Sequence, residues 1–298
     1  MSTETSAVAG QRYGLERVCQ VLEFPRSTIY AKRQAEHRNV VALRPGRRGP
    51  KPRMSDERLL EAIGADLAAS PFVGEGHRKP WARLRLAGIR VSRTRVLRLM
   101  RENQLLSPHR RPQGKLDPHE GTIVTERPDE MWGTDGVRIE TLEDGWVWTF
   151  SAVDHCHAEC VGWHVTKIGD RFAALEPIAQ GLHRYFGGVH AEAGRGLALR
   201  MDHGTQYMAD HFLKQVKFWG IAPSFAFVAQ PQTNGVAERF NRTLKEQAIY
   251  GRVFRNLEEV RRAVGEFVER YNAHWRLEKL GFRTPYEVRQ AAALKQAA

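Results

Sequence analysis

Cysteine is scarce in this 298-residue chain. Its three thiols, Cys19, Cys156 and Cys160, make no disulfide framework of the kind that staples small secreted domains, and they point to a reducing cytoplasm. Long apolar runs are missing too: none approaches the roughly 18–20 residues a membrane helix needs, so no membrane partner is expected. The opening stretch, MSTETSAVAGQRYGLERV, lacks the charged start and apolar core of a signal peptide. No internal repeat is visible. Acidic residues are in short supply at one end only. Residues 1–116 hold 24 Lys and Arg against 10 Asp and Glu, a net of +14; residues 117–298 hold 22 against 24, a net of −2, and the two add to the +12 of the whole chain. Cations confined to the N-terminal third suit a nucleic acid or another anionic partner, because neutralising phosphates releases counterions. A soluble basic arm with no specific ligand would have the same composition.

That third reads as helices. Residues 1–37 outline a first helix-turn-helix, with Leu15, Val18, Val21 and Leu22 on one face, a break at Pro25, and Ser27 placed to cap a second helix. Residues 38–55 are rich in Pro, Gly and Arg and predict a basic linker. Residues 56–106 predict a second helix-turn-helix: an amphipathic DERLLEAIGADLAAS, a helix with Pro80 at its first position, and VSRTRVLRLMRENQLL capped by Ser92. The last helix buries Val96, Leu97, Leu99 and Met100 in some combination and presents Arg93, Arg95, Arg98 and Arg101, which suits DNA. An all-helical protein-interaction module would share the apolar spacing but not the arginines.

After a second linker, residues 107–125, the pattern changes. MWGTDGVRIETL, WVWTFSAVD and CVGWHV predict three meandering strands; a helix over 171–186, the strand LALRMD, a helix over TQYMADHFLKQVKFWG and the strand IAPSFAFV follow. Residues 126–250 therefore predict an α/β core with a mixed sheet, and residues 251–298 a helical C-terminal extension.

Three carboxylates fall at telling places. Asp135 lies in the first strand, Asp202 ends the fourth, and Glu238 lies one turn into a helix opened by Asn234-Gly235, with 35 residues between Asp202 and Glu238. Groups at strand ends of α/β sheets are well placed for ligands. Glu238 is an anomaly, because Arg239, Arg242 and Lys245 line the same helix three residues apart. Either it is a solvated acid in local ion pairs, or it holds a metal that a bound phosphate also touches. Clustered carboxylates repel and raise one another's pKa unless a cation neutralises them. Hard divalent ions take such oxygen ligands, and two of them about 3.5–4 Å apart serve phosphoryl transfer. Asp154, Asp170, Asp210 and Glu246 are equally acidic, so spacing alone does not single out the three.

The words WGTD (132–135), MDHGTQY (201–207) and PQTNGVAERFNRTLKEQ (231–247) resemble the catalytic core of insertion-sequence transposases of the DDE recombinase, retroviral-integrase-like superfamily. Within these the chain looks like the catalytic subunit encoded by the second reading frame of a bacterial two-frame element. YNAHWRLEKLGFRTPYEV (271–288) resembles the family's C-terminal signature, and VSRTRVLRLMRENQLL its preceding helix-turn-helix. The resemblance implies an RNase H-like fold with Asp135, Asp202 and Glu238 as catalytic, metal-holding residues, and Lys245 as the basic residue two turns past the glutamate. It also implies two Mg²⁺ ions per site, with Mn²⁺ able to substitute. Cleavage at the element's terminal inverted repeats would precede joining of the 3′-hydroxyl to target DNA. A homo-oligomer on DNA, an upstream-frame helix-turn-helix partner and a place on the bacterial nucleoid belong to the same expectation. An RNase H-like nuclease or junction resolvase, and a domesticated DNA-binding regulator, are the alternatives. His274-Trp275-Arg276 departs from the family pattern and receives no role, and the paired His and Cys of a retroviral-type zinc module are absent.

The cluster His155, Cys156, His157 and Cys160 is spaced too tightly for a four-ligand zinc site; Asp154 is expected to end a strand or cap the turn. Trp132, Trp146, Trp148 and Trp163 are expected in core and cross-strand packing. Asn234 is expected to cap the glutamate helix.

Overall fold

The computed structural model describes residues 3–37, 53–107, 125–226 and 234–297. Most of the two linkers and residues 231–233 of the glutamate motif lie outside these. The chain divides into two compact units, Met1–Ser55 and Asp56–Ala298. In the first, α1 (Gly14–Val21) and α2 (Arg26–His37) flank a tight turn. Helix α2 starts at Arg26, so Ser27 lies inside the first turn rather than before it. Cys19 is the buried residue of α1, whereas Val21 and Leu22 of the expected apolar face are exposed.

The second unit opens with α3 (Asp56–Ala69), α4 (Arg78–Leu86) and α5 (Arg93–Glu102). Leu59 and Ile63 of α3 are sealed with Leu84 of α4 and Val96, Leu99 and Met100 of α5, as the apolar spacing requires. Helix α4 begins at Arg78, so Pro80 is its third residue, where the missing N–H is still among those without an intrahelical partner. Ser92 caps α5 as expected, its hydroxyl accepting from the Arg95 amide at 3.3 Å.

A five-stranded sheet carries the rest. Strands β1 (Met131–Thr141), β2 (Gly145–Asp154) and β3 (Cys160–Thr166) form an antiparallel meander, and β4 (Ala198–Met201) and β5 (Ala222–Phe225) add parallel to β1, in the order β3-β2-β1-β4-β5. Parallel strands need crossovers. Helix α6 (Glu176–Tyr185) carries the first, entered through turns at 171–175 that shorten the expected helix; α7 (Thr205–Met208) and α8 (Asp210–Phe218) carry the second. Beyond β5, α9 (Gly235–Leu244) continues as a π-helical turn (Lys245–Ile249), then come α10 (Leu257–His274) and α11 (Pro285–Ala297).

Alternation along the strands divides the interior into two cores. Val137, Ile139 and Val147 face Phe240, Leu244, Phe267 and Tyr271 of α9 and α10. Trp132, Phe150 and Leu199 face Ile178, Leu182, Phe212 and Val216 of α6 and α8. Phe72, from the loop after α3, packs edge-on against Trp275 in the first core, so the helical module is seated on the sheet domain. Thr284 and Glu287 cap α11 reciprocally, side chain to amide at 2.8 and 3.2 Å. Among the described residues no helix is long and apolar enough to cross a membrane.

Candidate active site

The site is built on the register of β1 and β4. Gly133 pairs with Arg200; Asp135 stands two residues further along β1, and Asp202 directly follows Met201, the last residue of β4. Asp135 shares a face with Val137 and Ile139, the face that α9 covers. Its Oδ1 accepts from the Gly136 amide at 2.8 Å, and Asp202 Oδ1 accepts from the Gly204 amide at 2.8 Å.

Two asparagines fasten α9 across this edge. Asn234 occupies the N-cap position but does not cap; its Nδ2 donates to the Thr134 carbonyl at 3.0 Å, which corrects the expected role. The helix start is thereby pinned to β1. Gly133 allows this approach, since a Cβ there would lie 2.8 Å from Asn234 Oδ1 and from His155 Nε2. Asn241 Nδ2 donates to Asp135 Oδ2 at 2.9 Å, and its Oδ1 accepts from Ser151 Oγ at 3.2 Å, with Ser151 directly opposite Asp135 on β2. Asn241 went unnoticed in the sequence, although it lies three residues past Glu238 and therefore on the same helix face.

The three carboxylates feel one another. Burial raises the Asp135 pKa, the bonds from Asn241 and Gly136 oppose it, and the Asp202 charge raises it further while Lys245 lowers it; the net shift is upward. Glu238 is also raised, by partial burial first and then by Asp135 and Asp202. As a set their oxygens do not draw within 4.8 Å of one another. All-oxygen donors held together against their own repulsion fit hard divalent ions.

The expected cationic stripe does not face one way. Lys245, opening the π-helical turn, is near enough to lower the Asp135 pKa. Arg242 is paired with Glu246 at 2.9 Å, and Arg239 is exposed. In α5, Arg95 and Arg98 both hold Asp56 at the start of α3, at 2.5 and 2.6 Å, and Arg98 also meets Glu102 at 2.8 Å. Their bonds, Arg98 first, lower the Asp56 pKa. Arg93 lies 3.5 Å from Glu278, which Arg78 also pairs. Arg101 is exposed.

The His and Cys cluster around the β2–β3 connection is organised differently. Asp154 ends β2 and caps the turn, accepting from the amides of Cys156 and His157 at 2.8 and 3.2 Å and of Asp129 at 2.7 Å. Asp154, Cys156 and His157 offer ligand atoms within 4.8 Å of one another. His157, however, lies between two carboxylates, Nδ1 at 2.8 Å from Asp154 and Nε2 at 2.9 Å from Glu159. Burial would lower its pKa; the carboxylates outweigh burial and push it up to about 10. Arg289 of α11 pairs with Asp129 at 2.8 and 3.0 Å and also with Glu159, to which Tyr185 donates. His157 and Arg289 thus supply the cations here. Cys160 is buried, its thiol donating to the Gly162 carbonyl at 3.3 Å. Of the tryptophans, Trp132 is sealed in the core, but Trp146 is half exposed under the Arg138 guanidinium.

Known families align with this layout. Integrase core domain models match residues 125–231 and 219–285, and an HTH-like domain model matches 56–113. The chain is 28% identical over 293 residues to the transposase for insertion sequence element IS629 of Shigella sonnei, covering 94% of this chain and 93% of that protein. It is 28% identical over 226 residues to transposase InsD for insertion element IS2A/D/F/H/I/K of Escherichia coli, covering 73% and 74%. Among solved structures, the catalytic core domain of BIV integrase is 21% identical, with 57% of this chain and 99% of that chain covered and a TM-score of 0.40. The sheet, its helices and the helix-turn-helix module define an integrase-type polynucleotidyl transferase. The chain belongs to the insertion-sequence transposases of the DDE recombinase, integrase-like superfamily. The family implies DNA as partner and a divalent metal, with which the three carboxylates are consistent.

Proposed function

We propose that Asp135, Asp202 and Glu238 are the catalytic carboxylates of a transposase that cleaves insertion-sequence ends and joins the freed 3′-hydroxyl to target DNA. One observation carries the reading: acids from β1, the residue after β4 and α9 lie close enough that Asp202 raises the Asp135 pKa and both aspartates raise that of Glu238. Asp135, Asp202 and Glu238 would together hold two Mg²⁺ ions, or Mn²⁺ in their place. Such ions, when bound, activate the attacking oxygen and steady the leaving one. Asn241 holds Asp135 in its orientation, and Lys245 balances charge at the site and meets a flanking phosphate. Arg239, Arg242 and the arginines of α5 bind the DNA backbone and element ends. Two ends must be joined, so the active species is a homo-oligomer on DNA at the nucleoid, with an upstream-frame helix-turn-helix subunit as a further partner. The 38–55 and 107–125 linkers separate DNA-binding from catalytic segments.

The test is a labelled fragment spanning the gene's own flanking ends, incubated with Mg²⁺ or Mn²⁺ and sized on a denaturing gel. Strands longer than the substrate, absent with Glu238→Gln, are expected. Cutting without joining, unaltered by added upstream-frame protein, would make the chain a nuclease instead.

A further inference from the structure

A second feature, on the turn that leads into α6, has no part in holding metal. The turn between β3 and α6 carries Phe172, 48% exposed, with the Arg171 guanidinium 4.6 Å from its ring centre and the His211 ring against its edge at 4.7 Å and 61°. An exposed phenyl on a loose loop would signify little, but this loop is built. Gly169 lies flat on Trp148, where a Cβ would come within 2.4 Å of the indole. Asp170 Oδ1 accepts from the amides of Phe172 and Ala173 at 3.0 and 2.9 Å, and Ala173 and Ala174 are buried. Phe172 is therefore displayed by a fixed turn. His211 belongs to α8, which begins eight residues after Asp202 and packs, with Ala173 and Ala174 of the turn, against the sheet face opposite α9.

We propose that Arg171, Phe172 and His211 form a stacking platform for an unpaired base of a DNA strand bound by the protein. The inference rests on the DNA-processing reading above. A π-face beside cations is the recurring means of holding single-stranded nucleic acid, since every base can stack and the neighbouring phosphate meets the charge. A protein partner fits less well, because the apolar surface is one ring bordered by a guanidinium and an imidazole. The platform takes a base freed by fraying at a cleaved end or by distortion of the target, and it is indifferent to base identity.

The test uses the full chain and a short oligothymidylate carrying one central 2-aminopurine, in EDTA so that no strand is cut. Binding to the wild type is expected to quench 2-aminopurine fluorescence. Phe172→Ala should weaken the affinity by about 5- to 150-fold, the range for one base–aromatic stack. Phe172→Trp should restore both affinity and quenching, and a blunt duplex should bind all three chains within about twofold. Equal affinity of wild type and Phe172→Ala for the single strand would overturn the platform. So would a change of oligomeric mass in Phe172→Ala with single-strand binding intact, which would identify a protein contact. If the wild type cuts and joins element ends in Mg²⁺ yet shows no quenching, the platform falls and the transposase reading stands. Loss of stacking in Phe172→Ala from a chain that cannot cut would support the platform and remove the transposase reading.

Discussion

Asp129 and Asp135 stand six residues apart on one stretch of chain, yet they belong to opposite kinds of acidic cluster. Around Asp129 the carboxylates of Asp154 and Glu159 are matched by His157 and Arg289, and the pKa values of Asp154 and Glu159 are lowered. Around Asp135 the carboxylates of Asp202 and Glu238 are near, Lys245 lowers the Asp135 pKa only in part, and the pKa values of Asp135 and Glu238 are raised. The first cluster sets two cations against three carboxylates. The second is more negative and is the one that fits an added ion, although the first has the denser set of ligand atoms. Proximity of acids and histidines does not identify a metal site; net charge does.

The sharpest break of this contrast is Asp202→Asn. It should abolish cleavage and joining while leaving DNA binding largely intact on a filter or mobility assay. Millimolar Mg²⁺ should raise the wild-type melting temperature, by linkage worth about 2.7 kcal/mol at one hundred times the dissociation constant, and should lose this effect in the variant. Near-normal cleavage by Asp202→Asn would dismiss the assignment.

Next in size is Arg289→Ala, which removes the cation shared by Asp129 and Glu159. Leaving buried carboxylates unpaired should cost about 3–5 kcal/mol in urea unfolding, with activity per folded molecule preserved. The two clusters should also have opposite pH signatures. His157, raised to about 10, contributes stability that is present below the ordinary histidine range and lost as pH climbs towards 10. Asp154 and Glu159 contribute above the ordinary carboxylate range and lose it as pH falls through their lowered values. Asp135 and Glu238 bind protons more tightly folded than unfolded, so without metal they subtract stability as pH rises through the carboxylate range. His157→Gln should flatten the alkaline limb of melting temperature against pH; an unchanged limb would show that His157 is not the charged partner.

Asn241→Ala is smaller. Losing the bond that orients Asp135 should reduce activity by about 10- to 100-fold, as for other groups that hold a metal ligand. It should also move the acid side of the pH–rate profile upward, because that bond lowers the Asp135 pKa. A fall in rate with no movement of the profile would mark Asn241 as packing only.

What could be read from the chain beforehand follows from the range of the interactions. The meander and the mixed sheet were legible because strand alternation and turns are local, whereas Asp135, Asp202 and Glu238 were singled out by the family resemblance, since their spacing alone left other acids equally eligible. Asn241, Asn234 and Arg289 were not read correctly because their partners lie 106, 100 and 130–160 residues away and are chosen by packing. Asn234 shows the difference well: its position is that of a cap, but the strand carbonyl it reaches exists only in the folded sheet.

The smallest prediction concerns the arginines of α5, where the same distinction between matched and unmatched charge applies. Arg95 and Arg98 share Asp56, and Arg93 is beside Glu278, so their charges are largely answered within the protein. Arg101 is exposed at the end of the helix. If DNA lies along α5, Arg101→Ala should weaken binding uniformly across sequences and reduce the slope of log affinity against log salt by about 1, the mark of one lost phosphate contact. Melting temperature should not move. Arg95→Ala should do the converse, lowering the melting temperature by releasing Asp56 at the start of α3 while changing the salt slope less. A fall in salt slope as large for Arg95 as for Arg101 would mean that DNA displaces Asp56. The internal pair would then be a resting-state substitute for phosphate rather than a fixed brace.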